Sequence, residues 1–357
     1  MEFAMNSNQR FFDHYDIFQL ESGGYLPGFR LAYTTYGRLN QKNDNVIWIV
    51  HALTANADPV EWWPGIVGPG CPVDTDRYFV VCANCLGSHY GSTGPLSVNP
   101  EKDEPYYYDF PFITIRDIVK SFDLLRNHLG INRIRLLIGA SMGGQQALEW
   151  SVSVSDIIEN LVLIATNARH SPWGIAFNES QRIAIETDSS WGTKHPAAGI
   201  HGMKAARSIA LISYRTYKGY MLTQEDSEDL IDSFRASSYQ RYQGEKLAKR
   251  FNAFSYYTLT KAMDSHNTGR GRGGCENALR SVKAKTFVIS IVSDILFPPP
   301  EQQYLAIHIP DAQLEIIDSD LGHDGFLTES IKVGKVISSL LNDEIRPDVS
   351  APDLRGR

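Results

Sequence analysis

The sequence predicts an α/β fold: a mainly parallel sheet with helices on both faces and an inserted helical cap. Three observations carry this. Short apolar, β-branched runs recur along the chain, a segment of helical period lies between two of them, and from about residue 170 to 280 the rhythm gives way to helical, polar-aromatic sequence. At 357 residues and 43% hydrophobic content, the chain can bury one large core, with or without an inserted subdomain, and needs neither disulfides nor metal to do so.

Taken in order, the runs at 45–50, 78–83, 134–139, 160–165, 286–292 and 314–317 read as buried strands. Between the second and third, the segment 113–129 places Ile115, Ile118, Val119, Phe122, Leu125 and Leu129 at helical spacing, so strand and helix alternate. Alternation of that kind builds a parallel sheet, whose ligands bind beyond the carboxyl ends of the strands. His51, Ser141, Asp294 and His323 all fall there. Within 170–280 the helix candidates are 203–214, 224–233 and 245–254. The expected organisation is a discontinuous core over 9–169 and 281–345, a cap over 170–280 and a loose tail over 346–357. The run Gly269-Arg270-Gly271-Arg272-Gly273-Gly274 reads as a hinge loop on the return to the core. Its glycines and arginines would also suit phosphates, but it lacks the preceding strand and the Lys-Ser/Thr of a phosphate-binding loop. Residues 1–8 are polar, and Met5 is a candidate natural start.

The formal charge of -7 argues against a general nucleic-acid or membrane-surface binder and fits a small-molecule enzyme. The apolar runs are too short to span a bilayer and no signal peptide is legible at the start, so the expected location is the cytoplasm. Cys71, Cys82, Cys85 and Cys275 make no disulfide framework. Cys82 and Cys85 have a C-x-x-C spacing but neither a second pair nor nearby histidines, so they read as ordinary thiols and no metal site is expected.

The chemistry concentrates at Gly139-Ala140-Ser141-Met142-Gly143, where a buried strand breaks abruptly into a helix. This is the form of a nucleophile elbow: small residues at Gly139 and Gly143 let the strand and helix backbones pass closely, with the serine hydroxyl exposed at the apex. The plain alternative is a small residue in a tight glycine turn. A serine hydroxyl needs a base, and the base needs a partner that fixes its tautomer. The run 286–292 leads into Ser293-Asp294, and the run 314–317 leads into Gly322-His323-Asp324-Gly325. The order Ser141, Asp294, His323, each just after a strand, is that of an α/β-hydrolase fold. Asp318 and Asp320 are alternative acids, and Asp294 could instead cap the segment that follows it. For the tetrahedral oxyanion, the backbone N–H of Met142 follows the nucleophile and that of Leu53 lies in the loop after the first predicted strand. His51 shapes that loop rather than titrating; Trp62 and Trp63 read as wall or packing residues.

Seven blocks carry a closer likeness: HALT at 51–54, GSTGP at 91–95, GASMGGQQALE at 139–149, RFNAFSY at 250–256, GRGRGG at 269–274, SDILFP at 293–298 and GHDGFL at 322–327. In these the chain resembles the homoserine O-acyltransferases, most often homoserine O-acetyltransferase of methionine biosynthesis. The resemblance implies an α/β-hydrolase core with a helical cap, a homodimer formed through that cap, and no permanently bound cofactor. It implies two-step transfer, in which Ser141 takes an acetyl group from acetyl-CoA and passes it to the hydroxyl of L-homoserine, with His323 moving the protons. It further implies that Arg207 and Asp324 hold the amino acid and that Tyr214 lies near them. An acceptor with a carboxylate and an ammonium does call for an arginine and a carboxylate at fixed distance. From spacing alone, however, Arg207 reads as one more charged residue on a cap helix, and Asp324 is equally a loop-turn residue. Ala55-Asn56 stands where relatives commonly carry glycine, and Asn252 and Phe254 replace an aspartate and an asparagine of the usual RFDANSY pattern. These departures leave open a succinyl donor or a serine acceptor; hydrolysis of the acyl-enzyme by water, and a binding protein on a retired hydrolase fold, are the competing classes.

Overall fold

A computed structural model describes residues 8–342. Its centre is an eight-stranded sheet. In chain order the strands are β1 (Gln9–His14), β2 (Phe29–Tyr36), β3 (Val46–Val50), β4 (Phe79–Ala83), β5 (Ile134–Ala140), β6 (Ile158–Ile164), β7 (Lys285–Ile291) and β8 (Gln313–Ile317). They lie side by side as β1-β2-β4-β3-β5-β6-β7-β8. From β4 to β8 every neighbouring pair is parallel, whereas β1 with β2 and β2 with β4 are antiparallel. The six buried runs of the sequence are the six parallel strands. β1 and β2 escaped that reading for a physical reason: β1 is an edge strand in which only Phe12 is fully buried, and β2 mixes Arg30 and two threonines into its apolar residues.

The parallel strands β3 to β7 are buried on both faces, and their side chains alternate between two hydrophobic layers, whereas β8, expected to be buried, is an edge strand of which only Ile317 is buried. Val46, Trp48 and Val50 of β3 join one layer with Phe122 and Trp150, while Ile47 and Ile49 join the other with Trp63, Val333 and Ile337. The first layer is covered by α1 (Ile115–His128) and α2 (Met142–Ser153). A reciprocal capping box starts α1, with Thr114 accepting from the Asp117 amide and the Asp117 carboxylate accepting from the Thr114 amide.

Between β6 and β7 come α3 (Pro172–Glu186), α4 (Ile200–Tyr214), α5 (Tyr217–Gln224), α6 (Arg235–Ala248), α7 (Ala253–Asp264) and α8 (Cys275–Arg280). Two expected helices are corrected. Residues 225–234 carry no helix, because Arg235 turns its guanidinium onto the Thr223 and Glu225 carbonyls (3.2 and 3.1 Å) and closes the end of α5. The segment 245–254 is two helices rather than one, because the Asn252 side chain accepts from the Ser255 amide (2.8 Å) and starts α7 afresh. The core also carries the longer helices α9 (Pro299–His308) and α10 (Ser330–Asn342), besides single turns at Pro59–Trp62 and Gly325–Thr328. Among the described residues no helix is long and apolar enough to cross a membrane. The tail expected over 346–357 and the candidate start at Met5 lie outside the described residues. Cys82 and Cys85 are free, buried thiols; burial pushes both up, Cys85 to about 12.

The glycine-arginine run at 269–274 is anchored rather than loose. Arg270 pairs with Glu21 (2.9 and 2.8 Å), and Arg272 pairs with the buried Glu149 (2.9 and 2.6 Å). Arg116 also reaches both carboxylates, at 2.8 and 3.2 Å. Both arginines of the run are thus bound to the core and not offered to a phosphate. Arg272→Met should lower the unfolding free energy, measured by denaturant titration. The loss should stay below the ~3–5 kcal/mol typical of a fully orphaned buried charge, because Arg116 still faces Glu149.

Candidate active site

The turn from β5 into α2 holds Ser141 at φ 56° and ψ -126°, a conformation that costs a non-glycine residue about 1–3 kcal/mol. The surroundings enforce it. A Cβ on Gly139 would stand 2.1 Å from the Gly143 carbonyl oxygen, and one on Gly143 would stand 2.3 Å from the carbonyl oxygen of Val50, so both positions must be glycine for β5, α2 and β3 to approach this closely. The Ser141 amide donates to Ile164 (3.0 Å) and its carbonyl accepts from the Thr166 hydroxyl (2.9 Å), fixing the residue from the β6 side. Met142 is the first residue of α2, so its N–H has no acceptor within the helix.

The ends of β7 and β8 bring the second and third residues together. His323 Nδ1 is 2.7 Å from Asp294 Oδ2, and both side chains are buried. The other oxygen of Asp294 accepts from the amides of Leu296 (2.8 Å) and Phe297 (3.0 Å), so the residue both caps the following segment and holds the histidine. Asp318 and Asp320 are exposed, and Asp320 is paired with Lys218 at 2.6 Å, which removes them as the acid. Phe297 stacks on the imidazole with centroids 5.3 Å apart. Burial opposes a charge on His323, but the Asp294 carboxylate, through its charge and its hydrogen bond, outweighs it and raises the histidine above its ordinary value; Asp324 adds to the rise. With Nδ1 held by Asp294, Nε2 is the ring nitrogen left for Ser141.

Ser141, His323, Leu53, Arg207, Tyr214 and Asp324 all line one cavity of about 1230 Å³ at the carboxyl end of the sheet. Met142 is fully buried and contributes no side chain to the wall, as befits a residue whose amide alone is of interest. Arg207, on α4, lies over the Tyr214 ring (5.4 Å), which in turn lies 5.7 Å from the His323 ring. Asp324 is closely paired with Arg215 (Nε to Oδ2, 2.9 Å). His51 is buried with both nitrogens engaged: Nε2 accepts from the Cys85 amide (3.1 Å) and Nδ1 faces the Ala52 carbonyl (2.9 Å). Burial lowers it to about 4, so it shapes its loop and stays neutral.

Residues 45–330 match the family model of the alpha/beta hydrolase fold. The homoserine O-acetyltransferase of Cyclobacterium marinum is 50% identical over 336 residues, covering 94% of this chain and 96% of the relative. The chain belongs to the homoserine O-acetyltransferase family. Among solved structures, the Staphylococcus aureus homoserine o-acetyltransferase aligns with a TM-score of 0.79 and 27% identity, covering 94% of this chain and 96% of the other. Esterase E22 aligns at 0.84, also with 27% identity, covering 93% and 99%. A transferase and an esterase thus share this chain's architecture.

Against the family pattern, the departures at 252 and 254 lie outside the cavity wall. Phe254 fills an aromatic cluster with Tyr107, Tyr108 and Trp191 (centroids 5.0–5.4 Å), and Asn252 caps α7 while facing His89 (2.7 Å). Asn56 does line the cavity, braced by its own contacts to the Asp58 amide (2.8 Å) and the Trp62 indole (2.9 Å). Trp62 is cavity wall and Trp63 is core, stacked on it at 5.4 Å. Arg215, Tyr90 and Arg250 carry no role predicted from the sequence, although Arg250 opens the RFNAFSY block. Two outcomes follow. Gly143→Ala should cost more than tenfold in acyl transfer, because the added methyl meets backbone that cannot yield; kinetics on folded protein check it. Acylation requires neutral His323, so its rate should fall as pH drops through a value above the ordinary 6.5 of histidine, read from the pH profile of kcat/KM.

Proposed function

We propose that the protein transfers an acetyl group from acetyl-CoA to the side-chain hydroxyl of L-homoserine through an acyl-Ser141 intermediate, as a step of methionine biosynthesis. One observation carries the reading. A serine and a buried His-Asp pair meet a cation and an anion, Arg207 and Asp324, on a single cavity wall. A hydrolase needs only the first set; an amino-acid acceptor needs both.

In the first half-reaction, Ser141 Oγ attacks the thioester carbonyl and its proton passes to His323 Nε2. The oxyanion is held by the amides of Leu53 and Met142, in a setting where one lost donor costs roughly 10²–10³ in rate. Collapse expels the CoA thiolate, which takes the proton back from His323. In the second, the homoserine hydroxyl attacks the acetyl carbonyl and gives its proton to His323. That proton then goes to the departing Ser141 Oγ. Asp294 stays ionised throughout and stabilises the imidazolium. Arg207 takes the homoserine carboxylate and Asp324 its ammonium, with Arg215 orienting Asp324 and Tyr214 closing the wall between them. No resident cofactor or metal is required. Helices within 170–280 act as the cap over the core of 9–169 and the described residues from 281 onward. The exposed Ile212, Tyr217 and Leu222 on α4 and α5 support a homodimer through that cap, and the enzyme is assigned to the cytoplasm.

The test is free-thiol release from acetyl-CoA and succinyl-CoA, each with homoserine, serine or no acceptor. Homoserine-dependent release from acetyl-CoA, abolished in Ser141→Ala, is expected. Equal release without acceptor would make the protein a hydrolase, and a preference for succinyl-CoA or serine would move it to a sister activity. Arg207→Met should raise KM for homoserine roughly 10- to 100-fold, the loss of a charge-assisted hydrogen bond, with kcat changed less.

A further inference from the structure

The loop that carries Leu53 is a tight turn. Its Ala55 amide donates to the Ala52 carbonyl (3.0 Å), placing Leu53 and Thr54 at the centre, and His51 Nδ1 faces the same Ala52 carbonyl (2.9 Å). Those contacts hold the start of the turn from the core side. Its outer half is held from elsewhere. Arg250, just beyond α6, donates from Nη1 to the Thr54 carbonyl and to the Tyr90 hydroxyl, and its Nη2 lies 3.4 Å from the Thr54 hydroxyl. This guanidinium reaches across 196 residues of sequence to grip a carbonyl one residue beyond the Leu53 amide. Two residues further on, Asn252 meets His89, so the 250–252 segment clamps both the turn at 52–55 and the loop at 89–90. The Tyr90 and Phe251 rings pack at 5.7 Å inside the same clamp.

An arginine is suited to this task. Its planar fork presents several donors in fixed directions, so a carbonyl and a hydroxyl gripped together lose rotational freedom as a unit. A donor to an oxyanion is effective only when it is preorganised, and a misplacement of about 1 Å at a reacting centre can cost about 10²-fold. The turn has no strand or helix of its own, so its outer half is fixed by Arg250 together with the Tyr90 hydroxyl, which also donates to the Thr54 carbonyl (3.4 Å) and is itself gripped by Arg250.

We propose that Arg250 is a positioning residue for the oxyanion-stabilising turn, linking the seating of 235–264 on the core to the aim of the Leu53 amide. The inference rests on the reading of Leu53 as an oxyanion donor. It is tested on the full chain with Arg250→Met, which keeps the aliphatic stem, and Arg250→Lys, which keeps the charge but not the fork. Acylation of Ser141 is followed by p-nitrophenol release from p-nitrophenyl acetate, which needs neither acetyl-CoA nor homoserine. Binding of a trifluoromethyl ketone, which forms a tetrahedral oxyanion on Ser141, is measured beside it. In Arg250→Met the acylation rate should fall about 10- to 100-fold, ketone affinity should fall by a similar factor, KM should hardly move, and added guanidinium ion should restore part of the rate. Arg250→Lys should lie between Met and the native residue. A raised KM for acetyl-CoA with acylation and ketone affinity unchanged would overturn the proposal and make Arg250 a substrate ligand; so would unchanged kinetics. If Arg250→Met does not fold, Arg250→Lys alone decides, since native ketone affinity in it contradicts the proposal. Failure of the native protein to acetylate homoserine, with normal Ser141 acylation, would sink the substrate assignment and leave this inference standing.

Discussion

The backbone of Ser141 sits in a region that only glycine occupies without cost, and the site is organised around keeping it there. No single bond does so. Gly139 and Gly143 let β5, α2 and the end of β3 pack within a methyl group of one another, and the amide and carbonyl of Ser141 are tied to Ile164 and Thr166 of the neighbouring strand and its exit. Relaxing the turn would break that packing, so the fold supplies the energy that holds the strain. The reward is a hydroxyl presented at the start of a helix, beside the unpaired first N–H of α2, where negative charge is stabilised.

A second constraint is that charge taken into the interior must be matched there. Asp294 is buried yet accepts two amides and the His323 ring, so all of its load is local and directional. Glu149 is nearly inaccessible and is met by two arginines, one from α1 and one from the glycine-arginine run. His51 takes the opposite course: with no carboxylate nearby it remains neutral and serves as a hydrogen-bonding spacer between two loops. Two buried histidines beyond the carboxyl ends of the strands therefore differ in chemistry because one faces an acid and the other faces backbone.

The inserted helices complete the site rather than merely covering it. Arg207 and Tyr214 reach the cavity from α4, Arg215 pairs with Asp324 from the end of that helix, and Arg250 grips the turn at Thr54. The core supplies Ser141, Asp294, His323 and Asp324, and the insertion adds Arg207, Tyr214 and the Arg215 that pairs with Asp324. Both an acetyltransferase and an esterase align with this chain over more than nine-tenths of its length, insertion included.

How much was legible in the sequence follows from the range of each interaction. The inner parallel strands were, because residues buried on both faces form unbroken apolar runs; the elbow and the Ser-Asp-His order were, because local backbone sterics and strand ends leave marks within a few residues. The antiparallel β1 and β2 were not, since partial burial in β1 and the arginine and threonines of β2 dilute the pattern. The break at 249–252 turned on whether Asn252 caps a helix or sits inside one, which its identity alone does not decide. What only the tertiary structure settled is pairing over distance: that Asp294 rather than Asp320 faces His323, that Arg270 and Arg272 are consumed by Glu21 and Glu149, and that Asp324 and Thr54 each meet an arginine from the insertion. A sequence dictates which groups exist and how the chain bends locally. Which of them fall within 3 Å depends on how the layers pack, a property of the whole fold.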